Sequence, residues 1–242
     1  IVMSAIFGTS YVADAFQVSY RLPNIFRTVL GEGGLTRIFL PKYAEIREKD
    51  GVEAANSYTT AVGLYLTAFL LIICLLLWFA APWIISVYAH GWKDMPERID
   101  LSAKILRLMT IYLFSLGLFA LLMGFLNAHR KFFLPAVAPA FLNLIWFIGA
   151  LYVFFFVDGE QSTKMVIIVA FLCIGSIVQA LIQIPQSVKL GALTKIDLPR
   201  NRAHLKHTGM LLLPSTLVLG LSQINIFIDT TLASTLVTGS IA

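Results

Sequence analysis

Charged side chains recur through an otherwise apolar stretch near the start of the chain: Asp14, Arg21, Arg27, Glu32 and Arg37. Ionisable groups at bilayer depth are costly, so they read first as lining a polar site. Arginine offers a planar fork that matches phosphate oxygens and stays protonated when partly dehydrated. Arg21, Arg27 and Arg37 therefore suit an anionic pyrophosphate group, and Asp14 and Glu32 would hold them in place. The alternative is that the same residues are paired charges between packed helices; the residues alone leave both readings open. On a uniform helix Asp14, Arg21 and Glu32 fall within about 20° of one another, and Arg27 does not.

A second polar group lies late in the chain. Asp229, with Gln223, Asn225, Thr230 and Thr231 nearby, offers the oxygen ligands of a small coupling cation, sodium or proton. An acid hydrogen-bonded to a neighbouring helix is the favoured reading of the two. His204 and His207 are three apart without cysteine or clustered acids beside them, which favours a solvated pair over a metal site. No catalytic signature (G-x-S-x-G, Walker A, H-E-x-x-H, C-x-x-C) occurs, and no cofactor is expected. The chain reads as a non-enzyme.

These residues need a membrane scaffold. Hydrophobic residues make up 58% of the chain and charged ones 13%, with a mean hydropathy of +0.83, outside the range of ordinary soluble domains. The net charge of +5 could suggest nucleic acid, but the basic residues cluster in short loops between apolar spans, so no nucleic-acid partner is expected and membrane lipids are. Cys74 and Cys173 both lie inside spans, which argues against a disulfide or metal framework.

In order, Ile1 to Gly8 reads as the last turns of a helix whose beginning is missing, with no signal peptide. Tyr11 to Ile46 is expected as one long helix, bent at Pro23 and at Gly31, Gly33 and Gly34. Ser57 to Phe79 is a span ending at Ala80, Ala81, Pro82 and Trp83, and Ala89 to Asp100 is a polar loop with Trp92 as an interfacial aromatic. Leu101 to Leu126 follows, with Lys104 and Arg107 snorkelling to the interface in preference to a cavity role for Arg107. After the basic turn Asn127 to Lys131 come Phe132 to Val157, a polar loop from Asp158 to Lys164, and Met165 to Val188. Lys189 to His207 is the longest polar stretch, and Met210 to Leu236 is the last span. Three regions result: a transmembrane lobe over 1–190, a cytoplasmic linker over 191–207, and a further helix over 208–242. Alternate loops carry ten basic residues (Lys42, Arg47, Lys49, Arg130, Lys131, Lys189, Lys195, Arg200, Arg202, Lys206) against four (Lys93, Arg98, Lys104, Lys164), which places the first set in the cytoplasm.

The order DAF-x-V, R-L-P-N-x-x-R, E-G-G and F-L-P-x-Y-A-E from Asp14 to Glu45 resembles the second transmembrane helix of the MurJ/MviN family, the lipid II flippases of the multidrug/oligosaccharidyl-lipid/polysaccharide exporter superfamily. Leu213 to Ala242, LPSTLVLGLSQINIFIDTTLASTLVTGSIA, resembles that family's seventh helix. The resemblance implies an all-α polytopic protein of the bacterial inner membrane: a six-helix amino-terminal lobe plus the seventh helix of an exporter with two lobes. The chain would then be truncated at both ends and lack its carboxy-terminal lobe. It further implies that lipid II crosses by alternating access, its head group in a cationic central cavity to which Asp14, Arg27 and Glu32 carry over. Thr28 stands where a second consecutive arginine is common, and Arg37 where an uncharged polar residue is usual. Alternatives are an exporter of another lipid-linked sugar or a drug, and a non-transporting subunit or inactive half-protein.

Overall fold

A computed structural model describes residues 6–8, 10–27, 34–197, 201, 204–206, 208–210 and 231. Among these residues every regular element is a helix. The protein is an all-α polytopic membrane protein, with four helical stretches long and apolar enough to cross a bilayer.

The first expected helix is two. α1 runs Tyr11–Phe26, its first turn capped by the Ser10 hydroxyl, which accepts from Ala13 N–H at 3.4 Å. Asp14 in that turn complements the positive end of the helix dipole. α2 runs Gly34–Asp50. Residues 28–33, including Gly31 and Gly33, lie outside the described residues. Gly51, at φ 90°, turns the chain into α3, Val52–Tyr88.

α3 continues past Pro82, where the sequence suggests a stop. A proline at position 82 supplies no N–H to the carbonyl four residues earlier, that of Trp78. Arg107 fills the vacancy: its Nε donates to the Trp78 carbonyl at 3.1 Å. Inside a bundle a neighbouring helix can re-satisfy a freed backbone group, so the proline is tolerated. Arg107 is thus neither a snorkelling cation nor a cavity group alone, but the donor that completes α3.

A short 3-10 turn, His90–Trp92, leads to α4, Pro96–Ala128, with Pro96 in its first turn. Trp92, expected at the interface, is buried with Ala81, Ile85 and Tyr88, because the loop folds back on the end of α3. α5 is Phe133–Phe156 and α6 is Gln161–Leu181; α7, Ile184–Lys189, continues after a break at 182–183. α4 is the central post: 72% of its most apolar stretch is buried, against 22% in α3 and in α5. It packs on α1, α2, α3 and α6, while α5 rests chiefly on α6. The α5–α6 contact is backbone-close at Gly175, where a Cβ would stand 2.9 Å from the Leu142 carbonyl oxygen.

α1 and α2 bury themselves in different places. α1 joins α4 and α6 through Val12, Ala15 and Phe16, packed with Ile105, Met109 and Val169. α2 joins the head of α3 and the tail of α4 through Phe39, Tyr43, Tyr58 and Phe125. Tyr43 Oη bonds Asn56 Oδ1 at 2.9 Å and lies 3.2 Å from His129 Nε2; Asn56 Nδ2 in turn donates to the Leu190 carbonyl at 3.1 Å. One polar network therefore ties the ends of α2, α4 and α7 to the start of α3.

The described part of the long polar stretch lies along that same turn of α3. Thr60 Oγ1 donates to the Ala192 carbonyl at 2.9 Å and accepts from Thr194 N–H at 3.1 Å. Ser57 Oγ accepts from Asp197 N–H at 3.0 Å and from Asn201 Nδ2 at 2.9 Å. Tyr58 Oη meets Thr208 Oγ1 at 2.7 Å, and the half-buried His204 ring stands edge-on to Tyr58. His207 lies outside the described residues.

Candidate functional site

Three of the five expected site residues share α1. Asp14 is 2% exposed, and Arg21 and Arg27 are half-buried. Arg27 closes the helix, and its Nε donates to Asn24 Oδ1 at 2.8 Å, one turn back. That bond holds the guanidinium in one orientation. Asn24 belongs to the same R-L-P-N-x-x-R run; its i,i+3 spacing to Arg27 is the signal in the sequence for this contact.

Aromatic rings gather along α1. Phe16 stacks on Tyr20 at 5.6 Å, and Tyr20 meets Tyr112 of α4 at 6.2 Å between ring centroids. Thr231 Oγ1 donates to the Tyr88 carbonyl at the end of α3 at 3.3 Å. Tyr20, Tyr88 and Tyr112 are invisible to sequence reasoning, because an aromatic in an apolar span looks like core.

Arg37 stands apart from this group, exposed on α2. Glu32 and Asp229 lie outside the described residues. Among the described residues no group of three or more His, Cys, Asp or Glu side chains could hold a metal ion. Cys74 and Cys173 are unpaired thiols within 3.3 Å of the Thr110 and Leu108 carbonyls. The arrangement offers fixed cations and hydroxyls inside a lobe of membrane-length helices, which is chemistry for binding an anion.

A model of the family described as lipid II flippase MurJ matches residues 3–242. The chain belongs to the MurJ lipid II flippase family. It is 31% identical over 233 residues to a probable lipid II flippase MurJ of Rhizobium tropici, covering 96% of this chain and 44% of that protein. It is 28% identical over 241 residues to the lipid II flippase MurJ of Burkholderia cenocepacia, covering 98% and 46%. A probable lipid II flippase MurJ of Aquifex aeolicus is 31% identical over 239 residues, covering 98% and 45%. The chain thus spans about half the length of the MurJ relatives it matches.

MurJ membership makes the position of α1 informative. The R-L-P-N-x-x-R run sits on a helix that packs against the central post rather than on the lobe's outer face. Its two arginines are half-buried there.

Proposed function

We propose that this chain forms the amino-terminal lobe of a transporter that moves lipid II from the cytoplasmic to the outer leaflet of the bacterial inner membrane. The observation that carries this reading is the match of the lipid II flippase family across residues 3–242. The placement of buried Asp14 with half-buried Arg21 and Arg27 along α1 supports it. In this reading Arg27 and Arg21 take phosphate oxygens of the head group, Arg37 adds charge, and Asp14 and Glu32 hold the arginines between transport events. The lobe would rock against a second, carboxy-terminal lobe about the cavity between them. No bond is made or broken in the substrate. A coupling cation, sodium or proton, would sit at Asp229 with ligands shared between the lobes.

Complementation tests the proposal. The complete transporter carrying this lobe should restore growth to a bacterium depleted of its own flippase, with lipid II appearing on the outer leaflet. Growth without outer-leaflet lipid II, or no rescue despite normal membrane abundance, would refute it. Orientation is tested separately: a cysteine at Asn201 should be labelled only from the cytoplasm and one at Gly159 only from outside.

A further inference from the structure

At the basic end of the lobe, the α4–α5 turn and the α6–α7 break enclose an open recess of about 610 Å³. Arg130, Lys131 and Lys189 line it with Phe132, Phe133 and Gln186. All three cations are exposed, and the lining contains no acid. Among the described residues none of the three is paired with a carboxylate; the ion pairs at this end join Lys42 and Lys49 to Glu45 on α2. Three like charges held around one hollow repel each other unless an anion joins them.

The backbone adds a second observation. α4 ends with Lys131 N–H donating to the Leu126 carbonyl at 2.9 Å and Arg130 N–H to the Asn127 carbonyl at 3.0 Å. This closing turn needs a left-handed residue, a place usually taken by glycine. Arg130 occupies it at φ 57°, the one non-glycine residue with positive φ among the described residues. Glycine would make the turn with less strain, and arginine supplies a guanidinium at the rim of the recess.

The third observation is depth. Phe133 opens α5, a membrane-length helix, and Phe132 and Phe133 are 60% and 75% exposed. Cations and bare aromatic rings thus meet at the level where hydrocarbon gives way to head groups. α5 is the peripheral helix, resting chiefly on α6, and no residue of α1 lines the recess.

We propose that this recess binds the phosphate of an anionic membrane phospholipid, with Arg130, Lys131 and Lys189 on the head group and the acyl chains along Phe132, Phe133 and the exposed face of α5. Basic hollows between spanning helices on the cytoplasmic side recognise such head groups. A soluble phosphate would use the cations and leave the rings bare; a phospholipid uses both. The assignment does not depend on what the α1 charges carry.

Native mass spectrometry of the complete transporter in detergent tests it, with phosphatidylglycerol or phosphatidylcholine of matched chains as the probe. The first phosphatidylglycerol should bind about tenfold more tightly than phosphatidylcholine, and each recess cation removed should cost about fivefold, the ratio equivalent to about 1 kcal/mol. Arg130→Gly with Lys189→Gln should therefore erase the preference. Arg130→Gly alone should leave thermal stability unchanged or higher, because glycine suits the turn, so its loss of lipid binding cannot be ascribed to misfolding. Lys93→Gln, a control outside the recess, should bind phosphatidylglycerol as the parent does. Unaltered preference in the double variant would overturn the proposal. Competition by millimolar inorganic phosphate would overturn it in favour of a soluble-anion site, and tighter binding of a polyprenyl diphosphate lost in the same variant would make it a substrate site.

Discussion

Arg27 at the end of α1 and Arg107 in α4 are both arginines in apolar helices, both half-buried, and a wheel or hydropathy plot treats them alike. The fold separates them. Arg107 answers a demand made inside the lobe, the Trp78 carbonyl that Pro82 cannot serve. Arg27 is braced by Asn24 of its own helix, and that contact repairs no broken backbone bond. An intramembrane arginine is therefore not one kind of feature: Arg107 completes the backbone of another helix, and Arg27 bonds to a side chain of its own.

The comparison breaks most easily at Arg27. Losing a charge-assisted hydrogen bond to substrate should remove about 1.5–3 kcal/mol of stabilisation. Arg27→Ala in the complete transporter should lower lipid II export at least tenfold, with membrane abundance and thermal unfolding close to the parent, read by an outer-leaflet lipid II assay beside a melting curve. Simultaneous neutralisation of Arg27 and Glu32 should not restore export; recovery in that double variant would reduce Arg27 to a structural partner of Glu32.

Arg107 should show the reverse pattern. Arg107→Met leaves the Trp78 carbonyl without its donor, at a cost of about 1 kcal/mol that a melting curve in detergent would register. In a Pro82→Ala background the amide N–H restored at position 82 can take the Trp78 carbonyl, so the same substitution should cost little. A double-mutant cycle should return a coupling of about 1 kcal/mol or more, and simple additivity would sink the helix-completing role.

The contrast sharpens with lysine. A single carbonyl needs only one donor, so Arg107→Lys should keep most of the stability, within about 1 kcal/mol of the parent. A phosphate prefers the two-pronged guanidinium, so Arg27→Lys should recover export only in part. Equal tolerance at both positions would mean that both arginines act as plain point charges.

What can be read from sequence follows the same division. The membrane-length helices α3 to α6 are legible because span length and hydropathy are local properties. Pro82 reads as a stop because the sequence rule describes a helix alone, while its remedy comes from Arg107 on another helix. The polar head of α3, Asn56, Ser57 and Thr60, looks like a solvated start, yet those side chains bind residues 190–201. Asp14, Arg21, Asn24 and Arg27 are legible through their motif and spacing, but Tyr88 and Tyr112 are not, since they come from other helices. Extending the wheel from Asp14 to Glu32 assumes one unbroken helix, and α1 ends at Phe26.

The smallest effect belongs to a charge that does neither job. Glu45 on α2 takes Lys42 at 2.9 Å and Lys49 at 3.1 Å, and its side chain is 43% exposed. The hydrogen bond from Lys42, then that from Lys49, pull its carboxyl down to about 2. A lowered carboxyl stabilises the fold above its ordinary value of 4.5, and that contribution fades as pH falls toward 2. Exposed pairs are screened and spend side-chain entropy on one geometry, so little survives. Glu45→Gln should melt with the parent at pH 7 within error, and any residual difference should vanish in molar salt and again near pH 2. A clear loss at pH 7 would show that α2 depends on its surface charges, and would remove the baseline against which Arg27 and Arg107 are distinguished.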